Sequence, residues 1–494
     1  MSAPIKVAIR ADAGTTLGTG HYARARAVAD ALSAAGGTEV MLVTGREGAP
    51  LVPAYFPSGI SLLVLPQEDS GPAGTMHALR QAGWVPDVIY LDQYGQVPGW
   101  EAAAAEAGVP LLVLDDFDAA TRADVIVRPH GGDARADGAV VLRGPAFLPL
   151  SGDVAALARR PHQSIAGRNL RLNICFGGSD PTGETAKALQ AVDTVDGLDV
   201  DLVLGPGAGI DPALVAVTVA MPRVRLHRSP THKQLAELLG EADLALGAGG
   251  VMLWERLCIG VPSLVIAVAA NQRPQIDAMA AAGAICFIGD HDEVEPETVA
   301  EAIRALAADD EARRALSKAG QALVDGKGAA RLAAWLRALA LGVRDVGPDD
   351  AEDLLAWRTD ARNWRHNWEV AEKPDPAAHV SWLQARLADP DCVFRILTRE
   401  EQPVVVVRFD LGEGGGLAYL SIYLVPAWHG QKMGLPVLLA AERALRRSHP
   451  GVRRIVSRIH RDNPASERLH RDAGFKMAPS KERVDWLDAC KRID

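Results

Sequence analysis

The alternation of apolar runs and alanine-rich stretches along the first two thirds of the chain is the feature that most constrains its fold. Short runs rich in valine, isoleucine and leucine predict strands buried on both faces, and the stretches between them have helical spacing. Strands that alternate with helices pair in parallel through right-handed crossovers, so the pattern predicts an α/β fold with a doubly wound sheet. The first predicted strands are Ile5–Arg10, Val40–Val43, Leu62–Leu65, Val88–Leu91 and Leu111–Leu114, with helices near His21, Thr75 and Trp100.

The alternation is interrupted once, and the interruption divides this region into two similar units. The polar segment Pro149–Asn169 contains prolines and is predicted to be a linker with a short helical piece. Long helices between Val299 and Leu341 are expected to close the second unit. Its predicted strands are Leu172–Cys175, Asp201–Leu204, Leu244–Leu246 and Ser263–Val268, with helices near Thr182, Lys233, Leu253 and Gln272.

After Gly342 the pattern changes to that of an α+β domain. Two neighbouring runs, Val404–Asp410 and Leu417–Val425, predict a pair of strands. A helix, a strand and a second helix follow, predicted at Val437–Arg447, Arg453–Ile459 and Pro464–Ala473. We therefore expect three units, at residues 1–155, 156–341 and 342–494: two Rossmann-like units and an α+β domain.

Composition excludes several classes of protein. The 494 residues include 62 acidic and 52 basic side chains, and a net charge of −10 argues against a partner held by nucleic-acid phosphates. The apolar run Val261–Ala270 is too short to cross a bilayer, and no signal peptide is recognised. The five cysteines form no C-x-x-C pair, which excludes a zinc ribbon, and Cys175 and Cys258 are expected to be buried thiols. We expect a cytoplasmic protein without a metal, whose oligomeric state the sequence leaves open.

The first of three glycine-rich segments, Arg10–His21, joins a predicted strand to a predicted helix. Glycines at 14, 18 and 20 allow tight turns and a close approach of the backbone to a ligand. His21 falls in the first helical turn, where the helix dipole favours the neutral imidazole that a general base requires. The segment is not a dinucleotide fingerprint, because Ala23 stands where the last glycine belongs.

The other two segments, Cys175–Pro181 and Gly247–Gly250, also join a strand to a helix. Backbone N–H groups at a helix N-terminus form an anion site. Glu255, one turn into the third helix, is either a ligand for the hydroxyls of a ribose or a carboxylate that only stabilises the helix dipole. Since ligands bind at the carboxyl ends of parallel strands, two such units predict a GT-B cleft with a nucleotide held mainly by the second unit.

The ordered motifs of residues 4–340 resemble the UDP-2,4-diacetamido-2,4,6-trideoxy-β-L-altropyranose hydrolases of pseudaminic acid biosynthesis, which are similar to MurG-type GT-B glycosyltransferases. The resemblance is carried by RADAGTTLGTGHYARARAVADAL, YLDQYG, LDDFD, FGGSDP, GAGGxxxWERxCxGxPSL, AxNQ and VDGKGAARLA. It implies that His21 is the base that activates a water, that Asp12 and Tyr94 line the sugar pocket, and that Glu255 binds the uridine ribose. Further implied substrate contacts are Gly18, Gly20, Arg24, Gly177, Gly178, Ser179, Gly249, Gly250, Asn271 and Gln272. One departure is Val251–Leu253, where the family has hydroxyl residues.

Residues 343–478 resemble the GNAT acyltransferases. Asn463-Pro-Ala-Ser466 predicts a capped helix that ends at Ala-Gly-Phe475, and this motif lies beside acetyl-CoA in the family. The resemblance implies acetyl-CoA as co-substrate, held by Leu424, Gln431, Lys432, Gly434, Asn463 and Ser466. His470 stands where the family has the tyrosine that protonates the leaving thiolate. The pyrophosphate loop departs from the family pattern at Lys432, which we expect to act as a point charge, and at Pro436.

These resemblances predict a bifunctional enzyme that acetylates a UDP-linked 4-amino-4,6-dideoxy sugar and hydrolyses a UDP-diacetamido-trideoxy sugar to UDP and free sugar. Two alternatives remain at this level. In the first alternative, the first two units form a GT-B glycosyltransferase that acts on an amino-sugar nucleotide. In the second, the chain is a non-catalytic nucleotide-sugar-binding protein with a decayed GNAT module.

Overall fold

The structure is a computed structural model. Its strands form three sheets, and helices flank each sheet. The residues that it describes are 3–14, 18–56, 59–67, 70–95, 97–120, 122–131, 139–158, 165, 167–178, 180, 182–205, 216, 218, 220–366, 368 and 372–493. Each sheet falls within one of the three predicted units. None of the helices in this described part combines the length and the apolarity needed to span a membrane.

The first sheet has seven parallel strands, in the order β3-β2-β1-β4-β5-β6-β7 once they are numbered along the chain. The strands are β1 (Ile5–Ala11), β2 (Thr38–Gly45), β3 (Ser61–Leu65), β4 (Val88–Asp92), β5 (Leu111–Leu114), β6 (Val125–Arg128) and β7 (Val140–Arg143). The helices are α1 (Gly20–Ala35), α2 (Val52–Tyr55), α3 (Pro72–Gln81), α4 (Val97–Ala107) and α5 (Gly152–Ala156). The order reverses between β1 and β4, which places a ligand crevice at their carboxyl ends.

The second sheet has six parallel strands, in the order β10-β9-β8-β11-β12-β13. The strands are β8 (Leu170–Cys175), β9 (Leu198–Leu204), β10 (Val224–Arg228), β11 (Leu244–Ala248), β12 (Ser263–Ala267) and β13 (Cys286–Asp290). The helices are α6 (Glu184–Asp193), α7 (His232–Glu241), α8 (Val251–Ile259), α9 (Arg273–Ala281), α10 (Pro296–Ala308), α11 (Asp310–Leu323) and α12 (Gly328–Leu339). The predicted doubly wound units are thereby confirmed.

The third sheet is mixed, with the order β14-β15-β16-β17-β18-β20-β19. Its strands are β14 (Gly342–Asp345), β15 (Cys392–Arg399), β16 (Gln402–Leu411), β17 (Leu417–Leu424), β18 (Arg454–His460), β19 (Lys476–Pro479) and β20 (Trp486–Arg492). Its helices are α13 (Ala351–Thr359), α14 (Ala361–Trp364), α15 (Pro376–Ala388), α16 (Gly434–Ser448) and α17 (Pro464–Asp472). Only β17 and β18 pair in parallel, and all the other pairs are antiparallel. The predicted α+β domain is confirmed.

The hydrophobic core does not follow the division into three units. One contiguous cluster of buried side chains joins the first sheet, α12 and the side of the third sheet that α16 covers. Helix α12 ends the second unit in sequence, but it packs between α1 and α16. The second sheet has its own clusters. The third domain is therefore packed onto the first unit through a shared core.

Candidate functional site

His21 lies at the carboxyl edge of the first sheet, in the first turn of α1, as predicted. Its side chain is 3% exposed, and its Nδ1 lies 2.6 Å from Oδ1 of Asp92, the last residue of β4. Arg24 Nη2, which only donates, also lies 3.0 Å from Nδ1, but the contact with the carboxylate, which only accepts, is shorter. The shorter contact places the proton of the neutral ring on Nδ1 and the lone pair on Nε2. This tautomer suits a base that acts through Nε2.

Arg24, one turn further along α1, holds the carboxylates of Asp92 and Asp116 beside this histidine. Its guanidinium donates to Asp92 through Nε at 2.9 Å and Nη2 at 2.6 Å, and to Asp116 through Nη1 at 2.9 Å. Burial by itself raises the pKa of Asp116, but Arg24 and His130 outweigh burial and hold the pKa well below its usual range. Arg24, predicted as a substrate contact, is thus engaged in an internal network that orients His21.

Tyr94 covers the imidazole from the solvent side. The two rings meet edge to face at 4.3 Å, and Phe117 packs on the other side of Tyr94 at 4.9 Å. Tyr94 is still 41% exposed. Its position at the mouth of the crevice fits a residue that contacts a sugar beside His21.

Asp12, the other predicted pocket residue, is largely engaged by protein donors. Its Oδ1 accepts from Arg10 Nη1 at 2.6 Å and from the Gly45 amide at 2.9 Å, and its Oδ2 accepts from Gln93 Nε2 at 2.9 Å. Burial opposes ionisation, but the hydrogen bond and charge of Arg10, with hydrogen bonds from Gly45 and Thr44, bring the pKa of Asp12 below its usual value. Asp12 therefore ties together the ends of β1, β2 and β4.

The second unit approaches this crevice through the N-terminus of α8. A Cβ placed on Gly20 would lie 3.2 Å from Cγ2 of Val251, so the two helix N-termini nearly touch. Met252 turns back onto Cys175, with their sulfur atoms 3.4 Å apart. The apolar residues that replace the family's hydroxyl donors therefore pack within the protein.

Glu255 is 6% exposed and faces α1 across the gap between the units. It shares a cavity of about 10 Å³ with Ala23, Arg26 and His232, among other residues. Burial raises the pKa of Glu255 to about 7, although neighbouring Arg256 opposes the shift. A nucleotide is far larger than this cavity, so binding at Glu255 requires the two units to separate.

The glycine loops of the second unit are held by polar side chains. Asp180, which follows the loop of Gly177 and Gly178, accepts hydrogen bonds from the amides of Glu184 and Thr185, at 3.0 and 2.9 Å. These bonds satisfy two free amides at the start of α6. Ser179 lies outside the described residues. At the other loop, Gln272 accepts from the Gly249 amide at 3.2 Å and lies beside Gly250, whereas Asn271 is exposed. Gln272 thus supports the loop. Gly18, with φ +73°, closes the first loop by bridging to Gly14.

One contact between the units involves residues that the sequence analysis missed. His130 follows β6, and its Nε2 lies 3.3 Å from Asp116. Its ring packs on Trp254, the residue before Glu255, with centroids 5.4 Å apart. The network around His21 therefore reaches the helix that carries Glu255. Neither residue lies in a glycine loop, and only the tertiary contact reveals their role.

The third domain contains a cavity of about 620 Å³ where β17 and β18 diverge. Pairing of these strands ends at Leu420 and Ser457, although both strands continue further. Of the predicted residues, the cavity is lined by Leu424, Gly434, Asn463, Ser466 and His470. The side of the sheet under α16 and α17 is called the cofactor face here, and the side under α13 and α15 the acceptor face.

His470 sits on the cofactor face with an unexpected tautomer. Its Nδ1 lies 2.9 Å from the Ser466 carbonyl, which can only accept, so the neutral ring donates from Nδ1. Its Nε2 is buried and has no partner among the described residues, and burial lowers the pKa of His470. The predicted role as proton donor to a thiolate does not fit a ring whose free nitrogen is an acceptor.

The predicted pyrophosphate contacts Gln431 and Lys432 lie away from the cavity lining. Lys432 Nζ donates to the Ala34 carbonyl at the end of α1, at 2.7 Å, and Gln431 Nε2 donates to the Ala427 carbonyl at 2.8 Å. Arg337 of α12 donates to both of their carbonyls. The interpretation of Lys432 as a point charge for phosphate does not agree with this placement.

Cationic side chains outnumber anionic ones in the cavity lining. Among the described residues that line it, Asp410 is the one carboxylate, whereas the arginines are Arg358, Arg362, Arg365, Arg408 and Arg458. Three of these arginines form ion pairs, Arg362 with Asp360, Arg408 with Asp410 and Arg458 with Glu482. Trp368 lies between the guanidinium groups of Arg458 and Arg483, at 4.3 and 4.4 Å from the ring centroid. This charge favours ligands that carry phosphates. No cluster suited to a metal ion occurs among the described residues.

Comparisons with known proteins agree with this architecture. Residues 340–476 match the family model described as an acetyltransferase (GNAT) domain. Over 206 residues the chain is 32% identical to the spore coat polysaccharide biosynthesis protein SpsG of Bacillus subtilis, a match covering 40% of this chain and 58% of that protein. It is 20% identical over 277 residues to the uncharacterized protein MJ1062 of Methanocaldococcus jannaschii, covering 53% of this chain and 55% of that protein. The matches thus span little more than half of these relatives.

Among solved structures, MurG of Acinetobacter baumannii superposes with a TM-score of 0.53 and covers 68% of this chain and 99% of that one. The sequence identity is 15%, so this likeness shows the fold alone. The chain consists of two Rossmann-like units with the fold of MurG-like GT-B proteins, followed by a GNAT domain with a mixed sheet.

Proposed function

We propose that the chain is a bifunctional nucleotide-sugar enzyme. Its first two units hydrolyse a UDP-linked diacetamido-trideoxy sugar, and its GNAT domain transfers an acetyl group from acetyl-CoA to a UDP-linked 4-amino-4,6-dideoxy sugar. The observation that carries the first activity is His21, held by Asp92 with the lone pair on Nε2 beside the exposed Tyr94. The observation that carries the second is the cationic cavity at the diverging strands.

For hydrolysis, His21 Nε2 takes a proton from a water that attacks the anomeric carbon. The C–O bond to the diphosphate breaks, and UDP is a good enough leaving group to depart without a strong acid. The facing N-termini of α1 and α8 supply backbone N–H groups and positive dipole ends for the diphosphate. Glu255, on α8, accepts hydrogen bonds from the ribose once the units separate to admit the nucleotide.

For acetylation, the acceptor amine attacks the thioester carbonyl carbon, and CoA leaves as a thiolate. Gly434, at the start of α16, and Asn463, at the start of α17, both line the cavity. Asn463 caps α17 by accepting from the Ser466 amide at 3.1 Å. The arginines of the cavity match the diphosphate of a nucleotide-linked acceptor as well as the phosphates of CoA. The acetylated product is then the kind of sugar nucleotide that the first two units hydrolyse.

The test is to incubate the full chain with a UDP-4-amino-4,6-dideoxy sugar, with and without acetyl-CoA, and to follow products by mass spectrometry. We expect acetylated UDP-sugar first, then free diacetamido sugar and UDP, with no added sugar acceptor. Turnover only in the presence of a sugar acceptor would instead identify a glycosyltransferase. UDP binding in calorimetry without turnover of any diamino-sugar nucleotide would contradict both activities.

A further inference from the structure

His366 lines the cavity of the GNAT domain and has one ring nitrogen without a partner in the described part of the chain. It follows α14 and lines the cavity, and its Nε2 is buried with no hydrogen-bond partner among the described residues. Its ring packs on that of His460, with centroids 5.5 Å apart. Because a buried polar atom without a partner costs free energy, such an atom in a cavity calls for a ligand.

The register of the strands places His366 on the acceptor face. Successive residues of a strand point to opposite faces. Leu420 and Ile459 belong to the core under α16, so their neighbours Tyr419 and Arg458 point the other way, and the Arg458 guanidinium lies 5.5 Å from the Tyr419 ring. His460 is two residues beyond Arg458 and shares its face. His366, packed on His460, thus approaches from the side opposite to α17.

The hydrogen bonds distinguish His366 from His460. His460 Nδ1 accepts from the Asp462 amide at 3.1 Å, so its neutral ring carries the proton on Nε2 and is a donor. A backbone hydrogen bond to Asp462 by itself raises the pKa of His366, whose Nε2 has no partner among the described residues. Nε2 is therefore the nitrogen of His366 that remains free to accept a proton.

The charged and titratable groups that face His366 are Arg365 in its own turn and His460 and Asp462 at the end of β18. Burial lowers the pKa of His366, the positive neighbours Arg365 and His460 lower it further, and Asp462 opposes them. The ring is consequently neutral at pH 7, the state that accepts a proton.

We propose that His366 is the catalytic base of acetyl transfer, and that its Nε2 takes a proton from the acceptor ammonium on the acceptor face. This inference rests on the proposed acetyltransferase activity. The resulting amine nitrogen forms a bond to the thioester carbon, and the C–S bond breaks. As the tetrahedral intermediate collapses, the nitrogen loses its second proton, and this proton converts the leaving thiolate into the thiol. The products are the amide, CoA thiol and one proton, released when His366 is regenerated.

The test replaces His366 by Asn, which keeps a donor near the position of Nδ1 and removes Nε2. With acetyl-CoA and the UDP-4-amino-4,6-dideoxy sugar, we expect kcat/KM for the acceptor to fall roughly 10²–10⁴-fold at pH 7. The deficit should shrink toward about pH 9–10, where the amine deprotonates without help. The KM for acetyl-CoA should stay within about twofold, because the cofactor binds the other face. His449→Asn, outside the cavity, should behave as wild type.

A deficit that is independent of pH, a loss below about threefold, or a rise in the KM for acetyl-CoA would overturn the assignment of His366. In each of these cases wild-type acetyl transfer, and with it the proposed function, would stand. A wild-type chain that releases no CoA thiol with this acceptor would refute the proposed activity of the domain and the base together.

Discussion

At the scale of single residues, the proposed hydrolysis depends on one imidazole, that of His21. Asp92 holds Nδ1 of His21 at 2.6 Å, and Arg24 holds Asp92 in turn. Replacing His21 by Leu removes the base but leaves the second unit intact. We expect turnover of the UDP-sugar to fall ~10²–10⁴-fold while the dissociation constant for UDP changes little, measured by product release and calorimetry. Turnover equal to wild type would remove His21 from the mechanism.

Glu255 makes stability depend on pH. The free carboxyl has a pKa near 4.5 and burial raises the pKa of Glu255 to about 7 in the folded chain. Below pH 4.5 it is protonated in both states and ionisation costs nothing. As the pH rises from 4.5 to about 7, ionisation of Glu255 lowers the free energy of unfolding by an amount that grows to roughly 3 kcal/mol. Glu255→Gln should therefore raise the calorimetric unfolding midpoint relative to wild type at pH 8 but not at pH 4.5, and should weaken UDP binding. The exposed Glu237→Gln serves as control, and equal midpoints of wild type and Glu255→Gln at pH 8 would contradict the effect.

At the scale of elements, the proposed anion site at the first turn of α16 lacks one backbone donor. A helix N-terminus binds phosphate through free N–H groups, and Pro436 supplies none. Pro436→Ala adds one donor beside Gly434, which lines the cavity. We expect the KM for acetyl-CoA to fall about tenfold, equivalent to ~1.4 kcal/mol, in steady-state assays. The matched variant Pro296→Ala, at the start of α10, should leave this KM unchanged. An unchanged or higher KM for Pro436→Ala would show that the pyrophosphate does not reach this turn.

The elements that the sequence predicted share a strong local pattern. The strands β1, β4, β5 and β8 are mostly apolar and almost entirely buried, and the glycine loops after β1 and β11 marked both sides of the cleft. The short strands β6 and β7 were not predicted, because four residues ending in arginine resemble a loop. Strand β20 (WLDACKR) escaped prediction because polar residues interrupt it, and only pairing with β18 and β19 reveals it.

The candidate functional site was also predictable only in part from the sequence. His21 and Glu255 stood out because each lies near the start of a helix that follows glycines. The packing of His366 on His460 was not predictable, since only the fold brings the two rings together. The tautomer of His470 depends on the Ser466 carbonyl one helical turn earlier, a contact that the side-chain rotamer decides. The placement of Lys432 was likewise unpredictable, because its partner Ala34 is remote in sequence.

At the scale of the whole molecule, the shared core predicts that the GNAT domain and the first unit unfold together. Arg399 of β15 donates to Asp87 and to the Pro4 carbonyl, at 3.1 and 3.0 Å, and α12 fills the space between α1 and α16. Ligand binding to the folded chain at 100 times its dissociation constant stabilises by ~2.7 kcal/mol. Acetyl-CoA should therefore slow hydrogen exchange of the most protected amides in β1 and β4 about as much as in β16 and β17.

Amides of the second sheet provide the internal control for this experiment, because its cores are separate clusters. Exchange in β8 and β11 should respond less to acetyl-CoA than exchange in β1. UDP, which we propose binds mainly the second unit, should produce the reverse ranking. If acetyl-CoA protected only residues after 342, the contacts of α12 with both neighbours would not couple the two units energetically, and the two activities would reside on independently unfolding domains.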